Sequence, residues 1–292
     1  MDASLRVRRA GPMTLIQDLG RPGNAEFGVS PSGALDRGAL MLANRLVGNP
    51  EGTAGLEIIA SGLHLEVLKP LRFAVTGAWG QVLLDGEPVD VDLTHYAPAG
   101  ASIRFGAPTH GIRYYLALQG GVLGEALLGS LSTDVLSGLG PSPVVDGQLL
   151  ELGTATGEGA WETDFVSVGP PTSDDAWLGV WPGPRMDWFA DEAVDRLLTQ
   201  RWTVSVDSNR VGARLEGAPL QRSRRDELPS EGIVCGAIQV PHSGLPTVFL
   251  ADHPVTGGYP VVGVVDNADL DSFAQLLPGQ GIRFEARGIW GR

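Results

Sequence analysis

Glycine and proline interrupt the apolar runs of this chain about every ten residues, and this spacing constrains the fold more than any other feature. The 292 residues include 41 glycines and 21 prolines, and neither forms a regular repeat. Short β-forming runs bounded by turn residues are typical of a barrel or a sandwich. We therefore predict a mainly β fold with a few short helices.

The short apolar runs predict the strands, and three helices are predicted between them. Asp85-Gly86 is a strong signal for a tight hairpin. The first helix is predicted over residues 33–47, with Ser32 as its N-cap and Gly48 at its end. Two further helices are predicted near 188–200 and 269–277. The predicted strands are residues 5–11, 64–68, 72–77, 81–86, 102–107, 113–122, 202–206, 237–241, 247–252, 259–265 and 281–286.

Two domains are predicted from a change in composition near the middle of the chain. Residues 156–175 are rich in Gly, Thr, Ser, Pro and acidic residues, which favours a linker. Residues 100–105 (GASIRF) match residues 279–284 (GQGIRF) at Gly, Ile, Arg and Phe. The sequence thus predicts two similar β domains, at 1–155 and 176–292.

Charge and cysteine content exclude several classes of protein. The net charge of −13 argues against nucleic acid or an anionic membrane as a partner, because both need clustered Lys and Arg. Cys235 is the single cysteine, and no signal peptide or membrane-length apolar run is apparent, so we expect a cytoplasmic protein. The five histidines are scattered, and we expect no metal site.

Four polar, Gly-rich segments are the candidate functional sites: residues 17–36, 205–217, 228–241 and 251–263. Arginine binds carboxylates through paired hydrogen bonds, and glycine lets a ligand approach the backbone, so these segments could bind a small anion. A structural alternative stays open for each residue. Arg21 could form a structural ion pair, Asp36 could stabilise a helix N-terminus, and Arg210 could pair with Glu231 or with backbone groups.

Taken together, these segments resemble the biotin-dependent carboxyltransferase family. The resemblance rests on residues 20–49 (GRPGNAEFGVSPSGALDRGALMLANRLVGN), 208–217 (SNRVGARLEG), 227–241 (ELPSEGIVCGAIQVP) and 256–263 (TGGYPVVG). The family includes the C subunit of 5-oxoprolinase, KipA-like proteins and allophanate hydrolase subunit 2, and it resembles part of urea carboxylase. The resemblance implies two cyclophilin-like β-barrel domains.

The resemblance also implies partners and cofactors. A KipI-like partner is expected as the B component, together with a LamB/YcsF-like A component, in a complex that uses ATP to open 5-oxoproline to glutamate. The chain has no Walker-type loop and no biotin-attachment motif, so ATP is expected only in the complex and biotin only on a separate carrier. Two alternatives remain open: a carboxyltransferase that uses carboxybiotin, and a KipA-like regulator of a sensor kinase.

Site residues are carried over from the same motifs. Asp36 and Glu231 are expected to handle protons or orient donors, and Arg210 completes the expected catalytic set. Arg21 and Arg210 are expected to hold a carboxylate or phosphate. The residues expected to position the substrate by hydrogen bonds are Ser32, Asn44, Gln239, Thr256 and Tyr259.

Overall fold

The chain divides into two compact units. The computed structural model describes residues 3–154, 168–224 and 226–290. The first unit comprises the described residues within 1–21, 32–134 and 138–171, and the second those within 22–31, 135–137 and 172–292. Two short segments of the first half therefore belong to the second unit. Residues 156–167 of the predicted linker lie outside the described residues, and the predicted domain boundaries stay a prediction.

The first unit is built on a nine-stranded sheet with one helix. The elements are β1 (Leu5–Ala10), β2 (Met13–Gln17), α1 (Arg37–Leu46), β3 (Gly55–Ile59), β4 (Leu63–Val67), β5 (Leu71–Leu84), β6 (Glu87–Val89), β7 (Thr94–Ala97), β8 (Ser102–Leu118) and β9 (Leu149–Leu150). The path of hydrogen-bonded neighbours in the sheet is β2-β3-β8-β4-β1-β9, and β5 pairs with β6, β7 and β8.

Two long strands, β5 and β8, form the centre of this sheet. Each of them covers two of the predicted strands. Bulges near Trp79 and Gly80 let the β5–β8 pairing continue past glycines at which the sequence pattern predicts turns. A side chain at Gly80 would overlap the Tyr114 hydroxyl. The predicted hairpin is confirmed, since Asp85 and Gly86 have φ of 53° and 90° and connect β5 to β6.

The second unit is a closed seven-stranded barrel. Its elements are β10 (Ala176–Pro182), α2 (Asp191–Thr199), β11 (Trp202–Val204), β12 (Gly212–Glu216), β13 (Glu231–Gly232), β14 (Ala237–Gln239), β15 (Thr247–Phe249), β16 (Thr256–Gly257), β17 (Val261–Val265), α3 (Leu270–Ala274) and β18 (Gly281–Ala286), with 3-10 turns at Ala25–Phe27, Met186–Trp188 and Asn267–Asp269. The strand order around the barrel is β10-β17-β14-β15-β12-β11-β18. The two units together confirm the predicted fold class, mainly β with short helices.

Alternation along the barrel strands separates an apolar interior from a polar outer face. Ala213, Ile238 and Val248 have exposed fractions of 2% or less, and each lies next to a polar residue on its strand. Successive residues of a strand point to opposite sides, so the polar neighbours face outward. The two-stranded ribbon β13–β16 stands outside the barrel sheet.

Candidate functional site

A buried carboxylate organises the polar loops of the first unit. Asp18 accepts four hydrogen bonds, from the hydroxyls of Ser130 and Ser132 and from the backbone N–H groups of Gly20 and Leu131, at 2.6–2.7 Å. Sequence reasoning missed Asp18. The signal was its place within residues 17–36, although three of its four partners lie more than 110 residues away in sequence.

Arg21 and Ser32 join the same set of loops. The Arg21 guanidinium is buried and donates to the backbone carbonyls of Leu127 and Ser132. The Ser32 hydroxyl donates to the carbonyl of Thr133 at 3.2 Å. Within the first unit, these contacts connect Arg21 and Ser32 to residues 127–133. Their predicted roles in substrate binding stay predictions.

Asp36, not Ser32, is the N-cap of α1, so the helix begins at Arg37 and the predicted start at residue 33 is wrong. Asp36 has an extended backbone, and its carboxylate accepts from the Ala39 N–H at 2.8 Å. Ser32 has φ of 52°, a left-handed conformation that an N-cap does not adopt. The Asp36 N–H donates to the hydroxyl of Tyr115.

The start of α1 rests on a buried charged cluster that sequence reasoning missed. The Tyr115 hydroxyl donates to Glu57 at 2.8 Å, and Arg113 lies 3.8 Å from the other oxygen of Glu57. Burial and the Glu57 charge raise the pKa of Tyr115 well above its ordinary value. This phenol therefore stays protonated and serves as a hydrogen-bond donor.

Asn44 fixes the segment that follows α1. Its side-chain amide donates to the carbonyls of Glu51 and Thr53 and accepts from Asn49. It is fully buried. Its predicted contact with substrate stays a prediction.

Arg210 forms a buried ion pair in the second unit. Its Nε and Nη2 donate to the two oxygens of Asp252, at 2.9 and 3.1 Å, and both side chains are at most 1% exposed. Asp252 also accepts from the backbone N–H of Val135 at 3.1 Å. The alternative that Arg210 pairs with Glu231 is therefore wrong.

Glu231 pairs instead with Arg185, through two hydrogen bonds at the protein surface. The hydrogen bonds from Arg185 hold the pKa of the Glu231 carboxyl below its usual range. Glu231 and Thr256 lie on the ribbon β13–β16. This ribbon lies against Gln239, because a Cβ on Gly257 would stand 2.8 Å from Gln239 Nε2.

A polar row crosses three neighbouring strands on the outer face of the barrel. Thr247 of β15 is directly opposite Arg214 of β12 on one side and Gln239 of β14 on the other. Residues directly opposite one another in antiparallel strands point to the same face. The row spans about 10 Å from the Arg214 backbone to that of Gln239, at about 4.8 Å per strand.

These three side chains line a cleft of about 700 Å³. Its volume is within the range of small-molecule sites, roughly 300–1,000 Å³. The cleft brings together two predicted residues, Gln239 and Tyr259. Sequence reasoning missed Arg214 and Thr247, although Arg214 stands within a singled-out segment. Apolar side chains supply part of the lining: Leu136, Val211, Leu215, Leu245 and Phe249.

Tyr259 forms one side of the cleft and is held by two neighbours. The Arg222 guanidinium lies 5.5 Å from the centre of its ring, and the His242 ring meets it edge-on at 5.5 Å. Burial lowers the pKa of Arg222, and the Tyr259 phenol opposes that change. Arg222 Nε is buried without a hydrogen-bond partner among the described residues.

A larger cavity, of about 860 Å³, lies in the first unit. Among the described residues, Glu125 and Glu151 are its charged ones, so it offers no cation to an anionic ligand, and no predicted site residue lines it. We therefore take the cleft of the second unit as the candidate site.

The charges that line the cleft do not suit a nucleoside triphosphate. Arg214 is its one cation among the described residues, and the carboxylates of Asp207 and Glu216 line it as well. Phosphates are held by clustered cations and backbone N–H groups, whereas carboxylates repel them. Within the described residues, no group of three His, Cys, Asp or Glu side chains could hold a metal ion. The helices of the described ranges lack the length and the hydropathy that a membrane-spanning helix requires.

Comparison with known proteins places the chain in a family. A family model described as carboxyltransferase domain, subdomain A and B, matches residues 27–286. The chain is 37% identical over 283 residues to the C subunit of 5-oxoprolinase from Escherichia coli (strain K12), covering 96% of this chain and 90% of that protein.

Solved structures share its fold. TTHA0988 superposes with a TM-score of 0.88 and 35% identity over 97% of this chain and 55% of its own. Urea amidolyase of K. lactis superposes with a TM-score of 0.91 and 28% identity, over 97% of this chain and 18% of its own. This chain thus spans about half the length of TTHA0988. By the match over residues 27–286 and the identity to the 5-oxoprolinase protein, the chain belongs to the carboxyltransferase domain family, subdomains A and B.

Proposed function

We propose that this chain is the C subunit of a 5-oxoprolinase-type complex, which uses ATP to open 5-oxoproline to glutamate. The observation that carries the proposal is the 37% identity to the C subunit of 5-oxoprolinase across nearly the whole of both chains. A relative that is named as one subunit of an enzyme implies partner subunits. We expect these to be a KipI-like protein and a LamB/YcsF-like protein, in the cytoplasm.

The barrel cleft supports a small, polar substrate with a single carboxylate, which the one cation among its described residues, Arg214, can bind although the carboxylates of Asp207 and Glu216 also line it. 5-Oxoproline is a five-membered lactam that carries a carboxylate, and the cleft offers a guanidinium, a hydroxyl and a side-chain amide beside apolar residues. The single cation and two carboxylates among the described residues of this cleft disfavour ATP, so we expect ATP to bind elsewhere in the complex.

Reconstitution tests the proposal. The chain is purified alone and with the products of the adjacent genes, and glutamate release from 5-oxoproline is measured with and without ATP. We expect release only when ATP and all subunits are present. Full turnover by this chain alone, or by the other subunits without it, would contradict the proposal.

A second candidate is a carboxyltransferase subunit that acts with carboxybiotin on a separate carrier. The match to the carboxyltransferase model and the likeness to urea amidolyase favour it. The amide and hydroxyl groups of the cleft also complement the ureido ring of biotin, which would supply the carboxyl group. Avidin separates the two functions, because it blocks turnover by the complex only where biotin takes part.

A further inference from the structure

Three polar groups of the barrel row have no partner among the described residues. The Arg214 guanidinium makes no hydrogen bond or ion pair there, and the contacts of Arg214 with Ser208 involve only its backbone atoms. The Thr247 hydroxyl has no hydrogen bond to a described residue. Gln239 donates through Nε2 to the Tyr259 carbonyl at 3.0 Å, which leaves Oε1 without a partner in the described chain.

The row runs from the surface into the protein, since Arg214 is exposed, Thr247 is half-buried and Gln239 is buried. Gln239 is 7% exposed, and Phe249 of the same cleft is 8% exposed. Polar groups at such a position gain free energy from a ligand that completes their hydrogen bonds. A solvent-exposed arginine alone would indicate nothing, but Arg214 is in register with Thr247 and Gln239, and all three side chains line the same cleft.

The donor and acceptor order along the row matches one ligand class. A guanidinium binds a carboxylate through charge-assisted hydrogen bonds. The Gln239 Oε1 accepts a hydrogen bond from a ring N–H, and the Thr247 hydroxyl between them can donate to either group. A small ring amide that carries a carboxylate has both features.

We propose that Arg214 binds the carboxylate of the lactam substrate while Gln239 Oε1 accepts a hydrogen bond from the ring N–H. This inference rests on the proposed function and assigns the carboxylate to one residue. It predicts that Arg214 distinguishes 5-oxoproline from 2-pyrrolidinone, the same ring without a carboxylate.

The test uses the assembled complex with Arg214→Met, which removes the charge and keeps an unbranched side chain. We expect the KM for 5-oxoproline to rise about 10- to 100-fold, the effect of losing a charge-assisted hydrogen bond. The inhibition constant of 2-pyrrolidinone should change less than about twofold, because that ring has no group for Arg214. Arg214→Lys should recover part of the affinity.

Arg287→Met is the matched control, since Arg287 is an exposed arginine of the same unit that pairs with Glu285 outside the cleft. Its KM should equal that of the wild type. Normal turnover with an unchanged KM in Arg214→Met, or equal losses for both ligands, overturns the inference and leaves the proposed function standing. No turnover of 5-oxoproline by the wild-type complex overturns the proposed function and the inference with it.

Discussion

Arg210 and Arg214 stand four positions apart in one Gly-containing segment, yet they meet opposite surroundings. Arg210 is buried and forms two hydrogen bonds with Asp252. Arg214 is exposed to the barrel cleft, and its side chain has no partner among the described residues. The sequence around the two residues does not separate them.

The role of a charged side chain therefore follows from the groups it contacts and not from the polarity of the sequence segment around it. A buried guanidinium is tolerated only when a carboxylate balances it, so Arg210 holds the loop at Asp252 in place. A guanidinium that faces a cleft without such a partner remains available to a ligand.

Carboxylates of the first unit show the same contrast. Asp18 is buried and accepts four hydrogen bonds. Asp92 is also buried, yet neither of its oxygens has a hydrogen-bond partner among the described residues. Burial raises the pKa of the Asp92 carboxyl to about 6. The Trp79 indole N–H acts to lower this pKa, although the two groups do not meet the geometry of a hydrogen bond.

The largest effect is expected at the buried pair. Arg210→Ala leaves the Asp252 carboxylate buried without its cation and should lower the free energy of unfolding by about 3–5 kcal/mol. Urea unfolding of the isolated chain measures this. Arg287→Ala, at an exposed pair, is the control, and an equal loss in both variants would show that the Arg210 pair contributes no more than a surface pair.

Asp92→Asn should stabilise the chain at neutral pH. The folded pKa of about 6 exceeds the ordinary value of 3.8, so the unfolded chain ionises first as the pH rises. Ionisation of Asp92 therefore lowers the free energy of unfolding. This loss grows as the pH rises from 3.8 to about 6 and stays constant at higher pH, at up to about 3 kcal/mol. Melting temperatures at pH 7.5 and pH 3.5 should show a gain at the higher pH only. A gain of equal size at both would exclude ionisation as its cause.

The smallest effect is expected at the surface pair. Glu231→Gln removes the charge that pairs with Arg185, and exposed pairs contribute little, so the melting temperature should change by about 2 °C or less. Because the Glu231 pKa is lowered from 4.5, that contribution is present above pH 4.5 and is lost at lower pH. A larger loss of stability would indicate that the β13–β16 ribbon depends on this pair.

Much of the fold could be predicted from the sequence, because turn residues mark the ends of strands locally. The Asp85-Gly86 hairpin and most strands of the barrel follow from such local signals. The continuous strands β5 and β8 do not, since bulges absorb glycines that otherwise indicate turns. The predicted helix start is wrong because Ser32 and Asp36 are both good caps, and only the backbone conformation chooses between them.

The candidate site was predicted only in part, for a physical reason. Gln239 and Tyr259 stand in polar segments that could be singled out, and both line the cleft. Arg214 and Thr247 line the same cleft because strand pairing places Thr247 opposite Arg214, which is 33 positions away, and opposite Gln239, which is 8 positions away. Such pairs leave no local signal in the sequence. Likewise Asp252, the partner of Arg210, is 42 residues away in sequence.

The most direct test compares Arg214→Met with Arg210→Lys in the assembled complex, measuring the melting temperature and the KM for 5-oxoproline of each. We predict that Arg214→Met raises the KM at least about tenfold and leaves the melting temperature unchanged. Arg210→Lys should lower the melting temperature by several degrees while its KM stays within about twofold of the wild type. The reverse pattern, with Arg214→Met unstable and Arg210→Lys impaired in substrate binding, would contradict the account.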